Sequence, residues 1–253
     1  MYAVKVENLT KVINGRIILQ DISFEVKEGE IFTIVGGSGS GKTSITKCIV
    51  GLWQPTSGKV EVLGKDLLSL KKVELDELRK QIGYVFQGAA LFDSLKVWEN
   101  VVFYYLEKTD RNQDELRNLA IEKLKLVGLG EEVLDLYPSE LSGGMRKRVG
   151  IARAIATDPR LIIYDEPTSG LDPITSRLID QLILSLREKT GITSIVVTHD
   201  LVSAFSISDR IMVLQSGRVV QIGTKEEILY SSVPFVKEFI KNGLGAELIK
   251  LSS

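Results

Sequence analysis

The segment Gly36-Gly37-Ser38-Gly39-Ser40-Gly41-Lys42-Thr43 limits what this chain can be more than any other. It fits G-x-x-x-x-G-K-[ST] at every position and stands between an apolar run, Ile31–Val35, and a helix-compatible stretch, Thr43–Val50. Strand, glycine loop and helix in that order make a cradle for phosphate. The glycines let the backbone turn tightly with its N–H groups inward, and the helix adds the positive end of its dipole. Lys42 is then placed to neutralise β- and γ-phosphates, and Thr43 to offer a hydroxyl to Mg²⁺. The bland alternative is a Gly/Ser-rich connector that carries a lysine by chance, and the flanking strand and helix weigh against it.

A second element points the same way. Leu161-Ile162-Ile163-Tyr164-Asp165-Glu166 is an apolar strand that ends in two carboxylates. A strand buried on both faces is apolar throughout, so acids belong at its exposed end. In open α/β sheets ligands gather at those carboxyl ends. Asp165 is therefore placed to hold Mg²⁺, directly or through water, and Glu166 to polarise an attacking water. Taken alone, two acids could equally well just end a strand at the surface.

The surrounding pattern predicts an α/β chain. Strand signals fall at Ala3–Val6, Ile17–Val26 and Val60–Leu63. From about Val97 to Thr157 the signals are mostly helical, including Glu115–Val127. Buried strands at Leu161–Tyr164 and Thr193–Thr198 then enclose a helix at Thr175–Glu188, and Ile211–Leu214 and Val219–Ile222 flank a Ser216-Gly217 hairpin turn. The expected layout is a sheet core over about 1–87 and 159–230, an inserted helical subdomain over about 88–158 and a tail over about 231–253.

Composition narrows the function classes. The 253 residues carry 32 Lys+Arg against 33 Asp+Glu, a net charge of -1 that disfavours broad capture of nucleic acid. No apolar run approaches the roughly 18 residues of a membrane span, and MYAVKVENLT has no apolar secretion core, so a soluble protein is expected. The single Cys48 excludes a disulfide framework within the chain and reads as an inert core residue.

Leu141-Ser142-Gly143-Gly144-Met145 precedes a helical segment running to about Ala156. Arg146, Lys147 and Arg148 fall in or near its first turn, where cations oppose the helix dipole. Either this is an N-cap serine followed by a solvated basic turn, or an anion docks nearby. With the phosphate loop and the acid pair, these residues resemble the motif set of the ABC ATPases. Leu141–Gly144 is similar to the signature motif, Gln87 to the Q-loop, Ser169-Gly170-Leu171-Asp172 to the D-loop, and His199 to the switch histidine. The resemblance runs from about Val4 to about Pro234. His199 is the chain's only histidine and, outside this context, would be read as structural.

The resemblance implies an ABC-type P-loop NTPase, with a RecA-like mixed-sheet core, an inserted helical subdomain and an N-terminal antiparallel β part. It also implies a head-to-tail homodimer holding two ATP molecules. Each would lie between the phosphate loop of one chain (Gly36, Gly37, Ser38, Gly39, Ser40, Gly41, Lys42, Thr43 and Ser44) and Ser142, Gly143 and Gly144 of the other, with Gln87 and Asp172 nearby. Mg²⁺ would fall to Thr43, Gln87 and Asp165. Glu166 would act as the base, with His199 and Lys42 stabilising the transition state. The three cations would then await the partner's nucleotide. Two departures stand out. Aliphatic Val12 and Ile13 occupy the place of the usual adenine-stacking aromatic, which predicts weaker discrimination between ATP and GTP, and Met145 replaces a common glutamine.

Loop wording points to one branch. Gly88 through Val101, Tyr137-Pro138-Ser139-Glu140 and the run from Leu141 to Arg148 resemble the ATPases of Mce-associated, Mla-type phospholipid transporters. That implies a separate permease docking near the Q-loop, an Mce-domain lipid-binding protein, and a place on the cytoplasmic face of the inner membrane. The alternative is the ATPase of an amino-acid-type importer. Leu91, Phe92, Leu95, Val97 and Trp98 form either the permease groove or local core packing. The tail from Pro234 is either a helix packed on its own domain or a dimer contact.

Overall fold

The computed structural model describes residues 1–244. The chain opens with β1 (Tyr2–Ile13) and β2 (Arg16–Lys27), followed by β3 (Ile31–Val35) and α1 (Lys42–Ile49). Next come β4 (Ser57–Val62), β5 (Lys65–Asp66), α2 (Lys72–Arg79) and β6 (Ile82–Val85). The helical middle holds α3 (Val97–Val101), α4 (Phe103–Lys108), α5 (Gln113–Leu126) and α6 (Gly143–Ile155). Then follow β7 (Leu161–Asp165), α7 (Pro173–Thr190), β8 (Thr193–Thr198) and α8 (Leu201–Ile207). The last described elements are β9 (Arg210–Gln215), β10 (Arg218–Thr224), α9 (Lys225–Leu229) and α10 (Pro234–Leu244).

The chain forms two compact units, one from Met1–Glu77 with Thr193 onward, the other from Leu78–Ile192. The first holds an antiparallel sheet of order β2-β1-β4-β5, the N-terminal β part that the sequence predicts. It also holds the strands β10-β9-β3-β8, in which β3 runs parallel to β8 and β9 while β9 and β10 form the antiparallel hairpin. All residues of β3 and β8 are buried, which is why both read as runs of apolar and β-branched residues, interrupted only by Ser194 in β8. Phe24 stacks on Phe32 at 5.4 Å between ring centres. A neighbouring cluster joins Val35, Leu201, Ile211 and Val213 to Val236 and Ile240 of α10. The described part of the tail is thus a helix packed on its own unit, and 245–253 lie outside the described residues.

The second unit holds β6 and β7 in parallel register, with the expected helical stretch 88–158 and α7. The short β6 and α8 carry too few residues to show a period, and sequence reading passes over both. Asn100 is wholly buried in α3 and organises the loop before it. Its Oδ1 accepts from Phe92 N–H at 2.8 Å, and its amide donates to the carbonyls of Phe92, Leu95 and Lys96 at 3.0–3.1 Å.

Candidate nucleotide site

The first unit supplies the phosphate loop. Residues 36–41 leave β3 and enter α1 directly, and Lys42 is the helix's first residue. The Lys42 ammonium folds back over the loop, donating to Gly36 O at 2.8 Å and Gly37 O at 3.2 Å, and is itself buried. Gly36 has to be glycine, because a Cβ there would stand 2.3 Å from Leu214 O and 2.7 Å from Ser40 Oγ. Ser40 Oγ is buried and has no hydrogen-bond partner among the described residues. A buried hydroxyl without a partner costs about 1–3 kcal/mol, so its place in this loop fits a ligand that would accept from it. Gly37, Ser38 and Gly39 are exposed, and a Cβ on Gly37 or Gly39 would meet nothing within 4 Å, which leaves the mouth of the cradle open. Thr43 and Ser44 begin the helix with it.

The β9–β10 turn braces the loop, a contact no motif announces. Gly217 N–H donates to Ser40 O at 2.9 Å while Gly217 O accepts from Gln20 N–H at 2.8 Å. Gly217 has φ +75°, and a Cβ there would lie 2.3 Å from Ile18 O, so both conformation and space demand glycine. His199 stands exposed just beyond β8, in the same unit. Its neighbour Asp200 caps α8 by accepting from the Val202 and Ser203 N–H groups.

The second unit carries the strand-end acids. Asp165 ends β7, is 7% exposed, and accepts a 3.1 Å hydrogen bond from Tyr84 of β6. Glu166, 9% exposed, takes a left-handed backbone with φ +50°. A non-glycine residue held there costs of order 1–3 kcal/mol, strain that clusters at functional sites. Gln87 follows β6, and its side-chain amide donates to Ser169 Oγ at 3.2 Å.

Ser142 is the N-cap of α6, its Oγ accepting from Met145 N–H at 3.3 Å. Gly144 has a packing reason beside any ligand role: a Cβ would come within 2.6 Å of Thr175 Cγ2 on α7. Gly143 is half-buried above Leu171. Asp172 caps α7, accepting from the Ile174 and Thr175 N–H groups at 3.0 Å and from the Thr175 hydroxyl at 2.5 Å, which holds its carboxyl below the usual range.

The three cations have partners that the sequence does not show: each serves a carbonyl of its own unit. Arg146 donates to Leu141 O at 2.6 Å and Arg148 to Gly128 O at 3.0 Å. Lys147 is buried and donates to the carbonyls of Gln87 and Glu166. Long cationic side chains reach back past the first turn, so the dipole penalty is offset by partners a sequence does not reveal. The apolar run after Gln87 also divides. Val97 and Trp98 are core, while Phe92 is 42% exposed and packs its ring on Phe103 at 4.3 Å.

Glycine cradle, strand-end acids and capped Gly-Gly helix define a P-loop nucleotide-hydrolysing cassette. Residues 19–169 match the family described as ABC transporter, and the chain belongs to that family as its ATP-binding, ATP-hydrolysing subunit. Among curated relatives, it is 41% identical to the intermembrane phospholipid transport ATP-binding protein MlaF of Haemophilus influenzae, over 94% of this chain and 90% of that one. It is 42% identical to the methionine import protein MetN of Carboxydothermus hydrogenoformans, over 91% of this chain and 68% of that one. A probable ribonucleotide transport protein, Mkl of Mycobacterium leprae, is 37% identical over 94% of this chain and 68% of its own length. The chain thus spans about two thirds of the Mkl and MetN relatives. Among solved structures, the cassette MJ0796, a dimer in a post-hydrolysis state with ADP and Pi, aligns with TM-score 0.79 at 38% identity, covering 88% of this chain and 98% of that one. CbiO1 of Clostridium perfringens aligns at 0.84 and 31%, covering 99% and 98%.

Proposed function

We propose that this subunit energises phospholipid transport between membranes through a separate permease. The reading rests on the loop from Gly88 to Val101 and the run from Leu141 to Arg148, whose wording resembles the Mla-type ATPases, and it is supported by the 41% identity to MlaF. An Mce-domain partner and a position on the cytoplasmic face of the inner membrane belong to the same proposal. Amino-acid-type import is the second reading, favoured by the 42% identity to MetN.

The chemistry proposed is in-line attack of water on the γ-phosphate of ATP. Lys42, the loop from Gly36 to Ser44 and the Ser40 hydroxyl bind and orient the phosphates. Glu166 takes the water's proton, and His199 with Lys42 stabilises the charge that builds on the γ-oxygens. Mg²⁺, held by the Thr43 hydroxyl, Gln87 and Asp165, spreads phosphate charge when bound. The donors are hard oxygens, as that ion requires. Among the described residues no three of His, Cys, Asp or Glu gather as a metal cage, and Mg²⁺ sites of this kind are completed by phosphate oxygens and water. Ser142, Gly143, Gly144 and Asp172 would meet the nucleotide of a second copy, a pairing supported by the dimeric state of the MJ0796 cassette.

The test is to isolate the chain with its co-expressed permease and measure phosphate release in proteoliposomes. Stimulation that requires an Mce-domain protein and transferable phospholipid is expected. Stimulation by a solute-binding protein loaded with an amino acid, and none by lipid, would replace this reading with the second.

A further inference from the structure

We infer that Lys147 is a positioning residue for hydrolysis, setting the backbone of Glu166 from the signature helix. The inference rests on the role proposed above for Glu166.

Three segments distant in sequence, at Gln87, Lys147 and Glu166–Ser169, meet around one ammonium in the second unit. Lys147 Nζ donates to Gln87 O and, at 3.2 Å, to Glu166 O. Glu166 O also accepts from Ser169 N–H at 3.2 Å, and Ser169 Oγ accepts from the Gln87 side chain at 3.2 Å. The result is a closed ring that runs from the segment after β6, through the acid pair and the segment before α7, to α6. Its centre is a lysine only 6% exposed, on the helix that Ser142 caps.

Three features make this more than packing. A buried ammonium is costly to desolvate, and a methionine of similar shape would fill the same space without that cost. Glu166 sits at φ +50°, a conformation that its own preferences do not hold, so an external tie to its carbonyl fixes where its carboxylate can point. The same ammonium holds the carbonyl of Gln87, the residue proposed to reach Mg²⁺. Burial pushes the Lys147 pKa down while Glu166 and Asp165 pull it up, which places the cation within reach of both acids' fields. A shift of α6 therefore moves Glu166 and Gln87 together.

The experiment compares Lys147→Met, Lys147→Gln and Glu166→Gln in the full chain, reading ATP Kd, KM, kcat and thermal midpoint. Lys147→Met is expected to lower kcat by roughly 10- to 100-fold, the scale of a misplaced reacting group, with ATP Kd within about twofold of the parent. Lys147→Gln keeps a donor without the charge and is expected to recover most of that loss. An unchanged kcat in a folded Lys147→Met variant overturns the inference. So does a parallel loss of Kd, kcat and thermal midpoint that Lys147→Gln fails to relieve, the mark of a structural role. Glu166→Gln separates the two levels: if it hydrolyses normally, the reading of Glu166 falls and this inference with it. If it is inactive while Lys147→Met is normal, only this inference falls.

Discussion

The two units hold their functional groups by opposite means. In the first, the phosphate loop is backbone held mostly from close by: the Lys42 ammonium closes onto the carbonyls of Gly36 and Gly37, a few residues away, and Gly217 N–H supports Ser40 O. In the second, the acids are held by side chains from far along the chain, Tyr84 on Asp165 and Lys147 on Glu166, with Gln87 tied to Ser169. A backbone cradle has little to reorganise and suits binding. A side-chain-held acid can be moved by the helices that carry its supports, which suits a step that must wait for closure.

The largest effects should separate those halves. Glu166→Gln is expected to cut ATP turnover by about 10²- to 10⁴-fold while leaving ATP Kd close to the parent, as removal of a general base does. Lys42→Ala is expected to raise ATP Kd at least as steeply as it lowers turnover. Equilibrium binding and single-turnover phosphate release check both. If Glu166→Gln loses binding and Lys42→Ala keeps it, the division into a binding half and a chemical half is wrong.

Next comes the brace under the loop. Gly217→Ala meets both a φ of +75° and Ile18 O at 2.3 Å. It should destabilise the protein by about 1–3 kcal/mol and weaken ATP binding, because Ser40 O loses its donor. Gly37→Ala, with nothing within 4 Å, should leave the denaturation midpoint unchanged. Equal midpoints for the two variants would show that the turn does not brace the cradle. In the second unit, Asn100→Ala strips the 92–96 loop of its four side-chain hydrogen bonds and should cost about 1–3 kcal/mol. Turnover should fall less than in Glu166→Gln, since Asn100 touches no proposed reacting group.

The same contrast explains what the sequence discloses. Gly36 through Thr43 is legible because its function is local: spacing alone dictates turn, nest and helix start. β3 and β8 match their expected bounds to the residue, because full burial leaves a run with no charged residue, mostly apolar or β-branched. Gln87, Asp172 and His199 stand out only through family resemblance, since a lone glutamine or histidine carries no spacing rule. The ring around Lys147 is invisible in the chain, because its members lie 60 and 19 residues apart and two of its acceptors are carbonyls, which every residue has. The partners of Arg146 and Arg148 are hidden for the same reason: sequence shows a charge beside a helix start and not the carbonyl it serves. The absence of an aromatic at Val12 and Ile13 gives a sharper test, equal hydrolysis of ATP and GTP. A strong ATP preference would mean that base recognition comes from elsewhere.

The smallest effect probes how dry the cradle's supporting helix is. Cys48 lies in α1 with no exposed surface, and burial pushes its thiol pKa from 9.0 up to about 11. Folded protein therefore keeps the thiol proton through a range in which the unfolded chain has released it. Unfolding then becomes easier as pH rises: the contribution is complete below about pH 9 and is lost as pH climbs towards 11, by at most about 2 kcal/mol. Cys48→Ala removes a side chain and is less stable at neutral pH, but it carries no thiol and so lacks this pH-dependent loss. The gap in urea midpoint between parent and variant should thus narrow from pH 8 to pH 10.5, and the native thiol should react with aromatic disulfides far more slowly than the unfolded one. Parallel curves and fast native labelling would mean that α1 opens to water readily, and the phosphate cradle that it carries would then be less firmly held than the acids.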